Sequence, residues 1–462
     1  MGKARDNIAA IRTLRLVEDE SRQPTENEKA VLARYSGWGA LPNVFHPYPR
    51  SDWAEIAREV RQHLTPEEYD SARASTPNAH FTSPMVIQAL WEAMERLGLG
   101  AGAQILEPSM GVGHFFGLMP ESLLPGCRRT GVELDGITAR IAKQLYPDAT
   151  IFAKGFEETP LPDNFFDAVI GNIPFGNYPV HDPAYRHSPV TRTIHDYFLA
   201  KSLDKLRPGG VMALITSRYT MDKQDSTMRR YLADRADLIG AIRLPNTAFK
   251  ANAGTEVTTD ILFLQKRVPG PVRRGEKWRD LATIDTPDGA VSVNEYFARH
   301  PEMMLGEMRL EGSQYRDREP TLAGELSPEL LRQAISSLPQ GICASRNTGP
   351  DRARPPPESG DLAETDGTDV KDGAYAIRDG LLAIRRGAVF ETAKVPGALA
   401  WRIRGMLAVR DAVRVVFLTQ LDDASEERIA EARRLLNDIY DSFVSRHGPL
   451  SSRENVKAFA GD

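Results

Sequence analysis

The amino-acid sequence predicts an α/β fold built on a mainly parallel, doubly wound sheet, with a helical N-terminal extension and a small α+β and helical C-terminal region. Two observations carry this prediction. Between residues 76 and 267, short β-rich runs alternate with helical segments, which is the pattern of parallel strands joined by crossover helices. Before that region, and again towards the end of the chain, apolar residues recur at helical spacing.

Residues 1–75 form the predicted helical N-terminal extension. Apolar positions are periodic in "NIAAIRTLRLV" and "WAEIAREVRQHL", and the glycine-rich turn "YSGWGALP" lies between these two stretches. Trp38 stands between two glycines of that turn. We expect it to be a packing anchor at the bend.

Residues 76–267 contain the predicted sheet. Its strands, in chain order, are "AQILEPS", "RRTGVELD", "ATIFAKGF", "FDAVIGN", "GVMALITS", "LIGAIRLP" and "TTDILFLQKR". The helices between them are "SPMVIQALWEAMERLG", "GITARIAKQLYP", "TIHDYFLAKSLDKLRPGG" and "STMRRYLADRA". This alternation predicts a single domain, in which the carboxyl ends of neighbouring strands line one edge of the sheet.

Three further segments follow the predicted sheet domain. Residues 268–343 are less regular and are assigned to an accessory segment. Residues 344–372 are rich in Pro, Gly, Asp and Arg and nearly free of apolar residues, so they are predicted to be a flexible linker. Residues 373–462 predict a β-hairpin unit with turns at 379–380 and 386–387, followed by two helices.

Composition excludes several classes of protein. The net charge of −5 is not that of a stand-alone nucleic-acid binder, so either any DNA-binding face is a local patch or much of the affinity for DNA comes from elsewhere. The two cysteines lie far apart, the histidines show no metal-ligand spacing, and no GxxxxGK[ST] phosphate loop occurs. No apolar run approaches the roughly 18 residues that span a bilayer, so we expect a cytoplasmic protein that has no membrane partner and binds no metal.

The first two strand ends carry residues suited to a nucleoside cofactor. In "ILEPSMGVGHFFG" a strand ends at Glu107, and Gly111 and Gly113 follow, where glycine lets the backbone turn sharply and approach a ligand. In "GVELD", Glu133 ends the next strand about 20 residues further on, where a carboxylate accepts hydrogen bonds from ribose hydroxyls. A GxG turn and a distant acid are also found together in NAD proteins.

The third strand end and the glycine loop distinguish between cofactors. In "FAKGFEE", Phe156 and Glu157 offer an apolar face and an acceptor for an adenine ring and its amino group. Phe116 stands where the dinucleotide fingerprint has its third glycine. A glycine turn, a ribose acid and an adenine clamp occur in this order in enzymes that use S-adenosylmethionine (SAM), so SAM is the predicted cofactor.

The fourth strand ends in "NIPF", residues 172–175, and here the sequence resembles the amino-methylating DNA methyltransferases, whose motif is [DNS]PP[YFW]. The resemblance is to the adenine-N6 family that includes the modification subunits of type I restriction systems. "HFTSPMVIQAL", "LRPGGVMALITS" and "IRLPNTAFK" look like further motifs of that family. The resemblance implies a Rossmann-like SAM-dependent methyltransferase sheet over residues 76–267.

The resemblance also implies which residues form the site. The implied catalytic residues are Asn172, Ile173, Pro174 and Phe175. The implied cofactor-binding residues are Phe81, Thr82, Glu107, Pro108, Ser109, Gly111, Gly113, Glu133, Phe156, Glu157 and Asn172.

A narrower resemblance concerns the stretches "LARYSGWGALPNVF", "PNAHFTSP" and "GNIPFGNY". They are similar to the methylase segment of large bacterial proteins that continue into an SNF2-type helicase, found on mobile elements, and to methylases of DISARM-type phage defence. This resemblance implies DNA as a partner, together with a helicase domain or a helicase or defence subunit. It also implies a chain that is either a stand-alone methylase or the N-terminal part of a longer product.

The residue types in "NIPF" fit transfer of a methyl group to an adenine amino group. The amino nitrogen is a poor nucleophile but the methyl donor is already activated, so the reaction depends on positioning. The side-chain oxygen of Asn172 and the backbone carbonyl of residue 173 can accept the two amino hydrogens, and Phe175 can stack on a base flipped out of the duplex. Isoleucine supplies that carbonyl as well as proline does, and Pro174 holds residue 173 in an extended conformation.

Other polar residues have less specific interpretations. His195 and Asp196 are expected to be structural or a surface pair, and His114 is expected to pack near the cofactor. Four cations after the fifth strand either contact phosphates or form a solvated helix face: Arg218, Lys223, Arg229 and Arg230.

Two alternative functions stay open at this point. The same loop acts on other planar amino groups, so the target is also compatible with a protein glutamine or an RNA adenine. A SAM-binding or DNA-binding scaffold with little turnover, within a helicase or defence complex, is compatible with the acidic net charge. A DNA adenine-N6 methyltransferase active in phage defence or mobile-element DNA modification is the first interpretation, since "FTSP" and the long extra segments favour DNA.

Overall fold

The computed structural model describes residues 1–39, 41–76, 81–185, 188–249, 257–268, 275–311, 318–343, 370–371, 373–378, 381–386, 389–393, 395, 397–421, 426–450 and 452–458. The chain divides into two compact units, Met1–Ser345 and Arg346–Asp462. Almost all of the predicted linker, 344–372, lies outside the described residues, as do three of the four residues assigned to the turns at 379–380 and 386–387.

The N-terminal segment is helical. Its helices are α1 (Gly2–Asp19), α2 (Glu26–Leu32), α3 (Ala54–His63) and α4 (Pro66–Ser75), with a 3-10 turn at Pro42–Phe45. Thr25 and Thr65 each begin a helix with a capping box, in which the threonine side chain and a glutamate three residues later satisfy backbone N–H groups. Trp38 is fully buried and packs edge-to-face on Phe45, with ring centroids 5.4 Å apart, so it is the expected packing anchor.

A seven-stranded sheet forms the centre of the first unit within the described residues. Its strands are β1 (Gln104–Glu107), β2 (Arg128–Glu133), β3 (Thr150–Ala153), β4 (Phe166–Asn172), β5 (Leu206–Ser217), β6 (Ala236–Leu244) and β7 (Thr259–Lys266). The strand order is β3-β2-β1-β4-β5-β7-β6, and β7 is antiparallel to both of its neighbours while the other pairs are parallel. The sheet is therefore mainly parallel, with one antiparallel strand inserted between β5 and β6, and it confirms the predicted α/β fold class.

Helices connect the strands of this sheet. They are α5 (Pro84–Arg96), α6 (His114–Gly117), α7 (Gly136–Leu145), α8 (Ile194–Lys205), α9 (Tyr219–Asp222) and α10 (Thr227–Ala233), with 3-10 turns at Phe156–Glu158, Pro183–Tyr185, Pro189–Thr191 and Asn246–Phe249. Helix α8 is shorter than the predicted helical stretch, which ran on to the glycines that follow Pro208. It ends at Lys205 because Leu206 already pairs with Phe166 of β4, and because a proline ahead disfavours helix at the residue before it.

The N-terminal helices pack against the start of the sheet domain. Trp38 shares one buried cluster with Val112 of the glycine loop and with Ile137 and Ile141 of α7. The hydroxyl of Ser71 in α4 donates to a carboxylate oxygen of Asp135, the N-cap of α7, over 2.9 Å. The helical extension therefore supports the part of the sheet domain in which the cofactor residues are predicted.

The segment after β7 is more regular than its sequence suggests. It contains β8 (Leu281–Thr286), β9 (Gly289–Asn294), α11 (Glu295–Arg299), a 3-10 turn (Pro301–Met303), β10 (Glu307–Glu311), β11 (Glu319–Ala323) and α12 (Pro328–Ser336). The backbone N–H of Asn294 donates to Asp222 over 2.9 Å, and Asp222 also accepts from the fully buried Arg243 over 2.7 Å. The segment thus joins the sheet through a buried charge network and lies within the first compact unit.

The second unit has a core of its own. It contains the antiparallel strands β12 (Tyr375–Arg378), β13 (Leu381–Arg386) and β14 (Val389–Thr392), and the helices α13 (Gly397–Leu421), α14 (Glu426–His447) and α15 (Arg453–Lys457). Leu382 of the sheet packs with Ile403 and Leu407 of α13 and with Phe443 of α14. Across the described parts of both units, the helices are too short or too polar to cross a bilayer.

Candidate active site

The glycine loop and the "NIPF" loop begin at adjacent strand ends. Strands β1 and β4 are parallel neighbours, with Leu106 opposite Val169. Just beyond these strands, the hydroxyl of Ser109 donates to the backbone carbonyl of Asn172 over 2.8 Å. The predicted cofactor loop and the predicted target loop are therefore fastened to each other at the carboxyl edge of the sheet, where ligands of open α/β sheets bind.

The glycine loop needs both of its glycines. Gly111 and Gly113 have φ angles of 57° and 86°, in the left-handed region that side chains disfavour. A Cβ atom on Gly113 would also lie 2.5 Å from the ring of Tyr146. The ring of Phe81 lies 3.5 Å from the place of a Cβ on Gly111 and packs edge-to-face on His114, so the structure brings Phe81 to this loop.

Glu133 closes onto the same loop from the end of β2. Its carboxylate accepts from the backbone N–H groups of Gly111 and Asp135, over 2.9 and 2.8 Å. Burial raises the pKa of Glu133 to about 7 and outweighs these hydrogen bonds, which act to lower it. The half-buried Glu133 therefore titrates near neutrality at the predicted ribose position.

Glu107 lies deeper, at the end of β1. It is 1% exposed, and its Oε2 atom makes no hydrogen bond with any described residue. Burial, reinforced by the charge of Glu133, holds the pKa of Glu107 well above its usual range. Pro108 next to it and Thr82 before α5 are also buried. Glu107 thus has a buried, unsatisfied carboxyl oxygen beside the glycine loop.

The structure does not bring the ring of Phe156 to the surface of this site. Phe156 is 2% exposed and packs on Phe198 of α8, with ring centroids 5.0 Å apart. Glu157 beside it is half-buried. Leu134, which follows the ribose acid directly, is 73% exposed. Sequence reasoning missed Leu134, although an apolar residue after a strand-end acid was visible, and Leu134 offers the exposed apolar surface that was expected of Phe156.

Ile173 is held by its side chain and by its backbone. Its side chain is 2% exposed, and its backbone N–H donates to the carbonyl of Ile215 in β5 over 3.2 Å. A proline at this position could not donate that hydrogen bond. Isoleucine in place of proline therefore adds one backbone hydrogen bond between β4 and β5. The substitution does not remove the carbonyl of residue 173, which is the predicted acceptor for an amino hydrogen of the target.

The following residues are held from helix α8. Pro174 and Phe175 are half-buried. The Nδ1 atom of His195 lies 3.1 Å from the carbonyl oxygen of Gly176, directly after Phe175. The sequence left two roles open for His195, a structural residue or part of a surface pair. Its side chain is 6% exposed, so it is not a surface residue. It contacts the loop that carries the predicted base-stacking ring.

Two of the four cations after β5 have structural roles. Arg229 is 1% exposed and donates to the backbone carbonyls of Lys223 and Arg279, over 2.6 and 3.0 Å. Arg218 is 8% exposed and pairs with Glu319 over 2.8 Å. The solvated helix face that was one of the two expectations for these arginines is therefore wrong, and the phosphate contact stays a prediction.

Comparison with known proteins agrees with the resemblance seen in the sequence. Residues 131–286 match the model of the family described as N-6 DNA Methylase. This range contains the ribose acid Glu133 and the loop 172–175. The match therefore begins within β2 and covers β3 to β7 of the sheet and the first strand that follows it.

Three individual proteins are similar to parts of this chain. The chain is 30% identical over 229 residues to "Defense against restriction protein B" of Escherichia phage P1, which is 49% of this chain and 10% of that protein. A putative class I SAM-dependent methyltransferase from Listeria monocytogenes is similar over 60% of this chain and 91% of its own, with 15% identity and a TM-score of 0.39. The type I restriction-modification methyltransferase subunit from Streptococcus thermophilus is similar over 64% of this chain and 78% of its own, with 14% identity and a TM-score of 0.38. The chain spans about a tenth of the length of the phage protein that it matches.

Proposed function

We propose that this chain is a SAM-dependent DNA methyltransferase that acts on the N6 amino group of a flipped-out adenine. The observation that carries the proposal is the hydrogen bond from Ser109 to the carbonyl of Asn172, which fastens the glycine loop to the "NIPF" loop. The match of residues 131–286 to the N-6 DNA Methylase family supports both the donor and the amino-group target.

The residues at the ends of β1 and β2 fit SAM. The left-handed glycines 111 and 113 keep side chains away from the loop, and the carboxylate of Glu133 is suited to two ribose hydroxyls. The unsatisfied oxygen of Glu107 offers a further polar partner, and Leu134 offers an apolar surface for the adenine ring of the cofactor. When bound, SAM supplies a methyl group already activated on a sulfonium centre.

The chain's own contribution to transfer is positioning of the target. The side-chain oxygen of Asn172 and the backbone carbonyl of residue 173 accept the two hydrogens of the adenine amino group. These two acceptors orient the nitrogen lone pair, and holding reactants in such a geometry is a large source of rate enhancement. No strong base is required before attack, because the methyl donor is already activated. The adenine nitrogen gains the N–CH3 bond and then loses one of its two hydrogens as a proton to solvent, since an amide oxygen and a backbone carbonyl accept hydrogen bonds but do not take up the proton.

Phe175 explains how a duplex base is retained in this site. Flipping a base out of the stack costs a few kcal/mol, and stacking on an aromatic ring returns about 1–3 kcal/mol. Phe175 is half-buried at the carboxyl edge of the sheet, beside Pro174. We propose that its ring stacks on a base whose amino group reaches Asn172.

We propose a biological role in phage defence or in modification of mobile-element DNA. The support is the 30% identity to a phage protein named for defence against restriction. On the resemblance of "GNIPFGNY" and its neighbouring motifs, DNA is proposed as a partner, together with a helicase domain or a separate defence subunit.

The proposal is tested by expressing the chain with a plasmid and mapping N6-methyladenine in the plasmid DNA by sequencing. We expect methylated adenines at a defined site with the wild-type chain, and none with Asn172→Ala that still binds SAM. Absence of the mark in the presence of the natural partners, with SAM binding intact, would favour a scaffold role. Methylation of RNA or protein instead would assign another substrate to the same loop.

A further inference from the structure

The connection between β4 and α8 needs internal anchors. Residues 173–193 join this strand to this helix, whereas roughly 2–6 residues usually do so in an α/β unit. Ordering a long connection costs conformational entropy for every residue fixed. The predicted catalytic residues 173–175 lie at its start, so the position of the base-stacking ring depends on what holds this connection in place.

One anchor lies far from the motif. Asp182 accepts from the hydroxyl of Tyr197 over 2.6 Å and from Nζ of Lys201 over 3.0 Å, and all three side chains are buried. Burial acts to raise the pKa of Asp182, but the hydrogen bonds from Tyr197 and Lys201 leave it below its ordinary value. Lys201 also donates to the backbone carbonyl of Glu157 over 3.3 Å, so this anchor reaches the third strand end.

A second anchor is His195, next to the motif. A carbonyl oxygen only accepts, so the Nδ1 atom 3.1 Å from Gly176 carries the hydrogen. The Nε2 atom is then an acceptor, and the hydroxyl of Thr193 lies 3.4 Å from it. Burial lowers the pKa of His195, and this effect outweighs the nearby carboxylate of Asp196, which acts to raise it. Because its pKa lies below the ordinary value, the ring is neutral at pH 7.

We propose that His195 is a positioning residue for methyl transfer: its Nδ1–H holds the carbonyl of Gly176 and thereby sets the place of the Phe175 ring. This inference rests on the proposed function. His195 touches neither the glycine loop nor Glu133 among the described contacts, so its effect is on the target and not on the cofactor.

Three variants separate the Nδ1 donor from the bulk of the ring. His195→Asn keeps an N–H close to the position of Nδ1, His195→Gln places its N–H near that of Nε2, and His195→Leu has no donor. We expect His195→Asn to retain kcat within about threefold and the other two to lose about 10- to 100-fold, because small misplacements of reacting groups cost that much. The SAM dissociation constant should stay the same in all three. Tyr197→Phe, which weakens only the distant anchor, should change kcat by less than about threefold.

Hydrogen exchange of the backbone gives a readout that does not depend on activity. We expect amides in residues 173–178 to exchange faster in His195→Leu and His195→Gln than in the wild type and His195→Asn, because only the latter two hold the Gly176 carbonyl. If exchange differs in this way but the wild type methylates no adenine, the proposed function fails and the anchor stands. Equal kcat and equal exchange in all variants would overturn the proposal. Equal losses in His195→Asn and His195→Leu would also overturn it.

Discussion

Ile173 uses its backbone and its side chain for different contacts. The N–H group bonds Ile215, the side chain is buried, and the carbonyl is the proposed acceptor for the adenine amino group. Of these three groups, only the carbonyl has a proposed role in methyl transfer, and a proline at position 173 would keep that carbonyl. At the scale of single residues, the unusual member of the motif is therefore a stability residue whose backbone oxygen has the proposed chemical role.

This separation predicts the behaviour of Ile173→Pro. The variant loses the hydrogen bond to Ile215 and part of a buried side chain, so we expect the free energy of unfolding to fall by about 1–3 kcal/mol. Methyl transfer by the folded variant should stay within about threefold of wild type, since the carbonyl is kept. Denaturant unfolding and a methylation assay check both parts. A folded Ile173→Pro as inactive as Asn172→Ala would contradict the assignment.

Glu133 predicts a pH dependence of cofactor binding. Its pKa of about 7 in the ligand-free protein means that the carboxylate is largely protonated below that value, and only the ionised form accepts two ribose hydroxyls. We expect the SAM dissociation constant to rise roughly tenfold as the pH falls from about 8 to about 6. Calorimetry measures it. In the matched control Glu133→Gln, binding should be weaker at pH 8 and nearly independent of pH, and an equal pH response in that variant would argue against the assignment.

Some residues of the candidate site could be predicted from the sequence because a short motif identifies them, and others could not. Gly111, Gly113 and Glu133 follow consecutive strands, and parallel strands bring their carboxyl ends together, so sequence order alone placed them at one edge of the sheet. The burial of Phe156 and the contact of His195 depend instead on where helix α8 packs. No local pattern in the sequence reports that packing.

At the scale of elements, the N-terminal helices are part of the support of the glycine loop. Val112, between the two loop glycines, is fully buried in the cluster that contains Trp38, Ile137 and Ile141. The helical character of residues 1–75 could be predicted from apolar periodicity. Their packing against α7 could not, because periodicity identifies a buried face but not the partner of that face.

Trp38→Ala tests this support. Removing a fully buried indole should lower the free energy of unfolding by about 3–5 kcal/mol. Because Val112 packs in the same cluster, the remaining folded protein should also bind SAM more weakly. Thermal unfolding and SAM titration measure the two effects, with Tyr48→Ala as a control, since Tyr48 is 87% exposed. SAM affinity unchanged in folded Trp38→Ala would show that the glycine loop does not depend on the N-terminal helices.

At the scale of the whole molecule, the chain has two compact units, each with its own buried residues. The segment 344–372, proposed as a linker on composition, contains Arg346 and Arg352. We expect brief trypsin treatment to cleave there first and to leave two stable fragments, because a segment of this composition is predicted to be more accessible to a protease than the two units with buried cores. Mass spectrometry identifies the fragments. Equally fast cleavage within residues 1–343 would argue against this division.

The most direct test of the central claim is nucleoside analysis of DNA incubated with the purified chain and SAM carrying an isotopically labelled methyl group. The proposed chemistry predicts label in 6-methyl-2′-deoxyadenosine with the wild type, and its loss with Asn172→Ala that still binds SAM. Label in deoxycytidine, in RNA or in protein, or no label in DNA despite bound SAM and the natural partners, would contradict the claim that Asn172 holds the amino group of a DNA adenine.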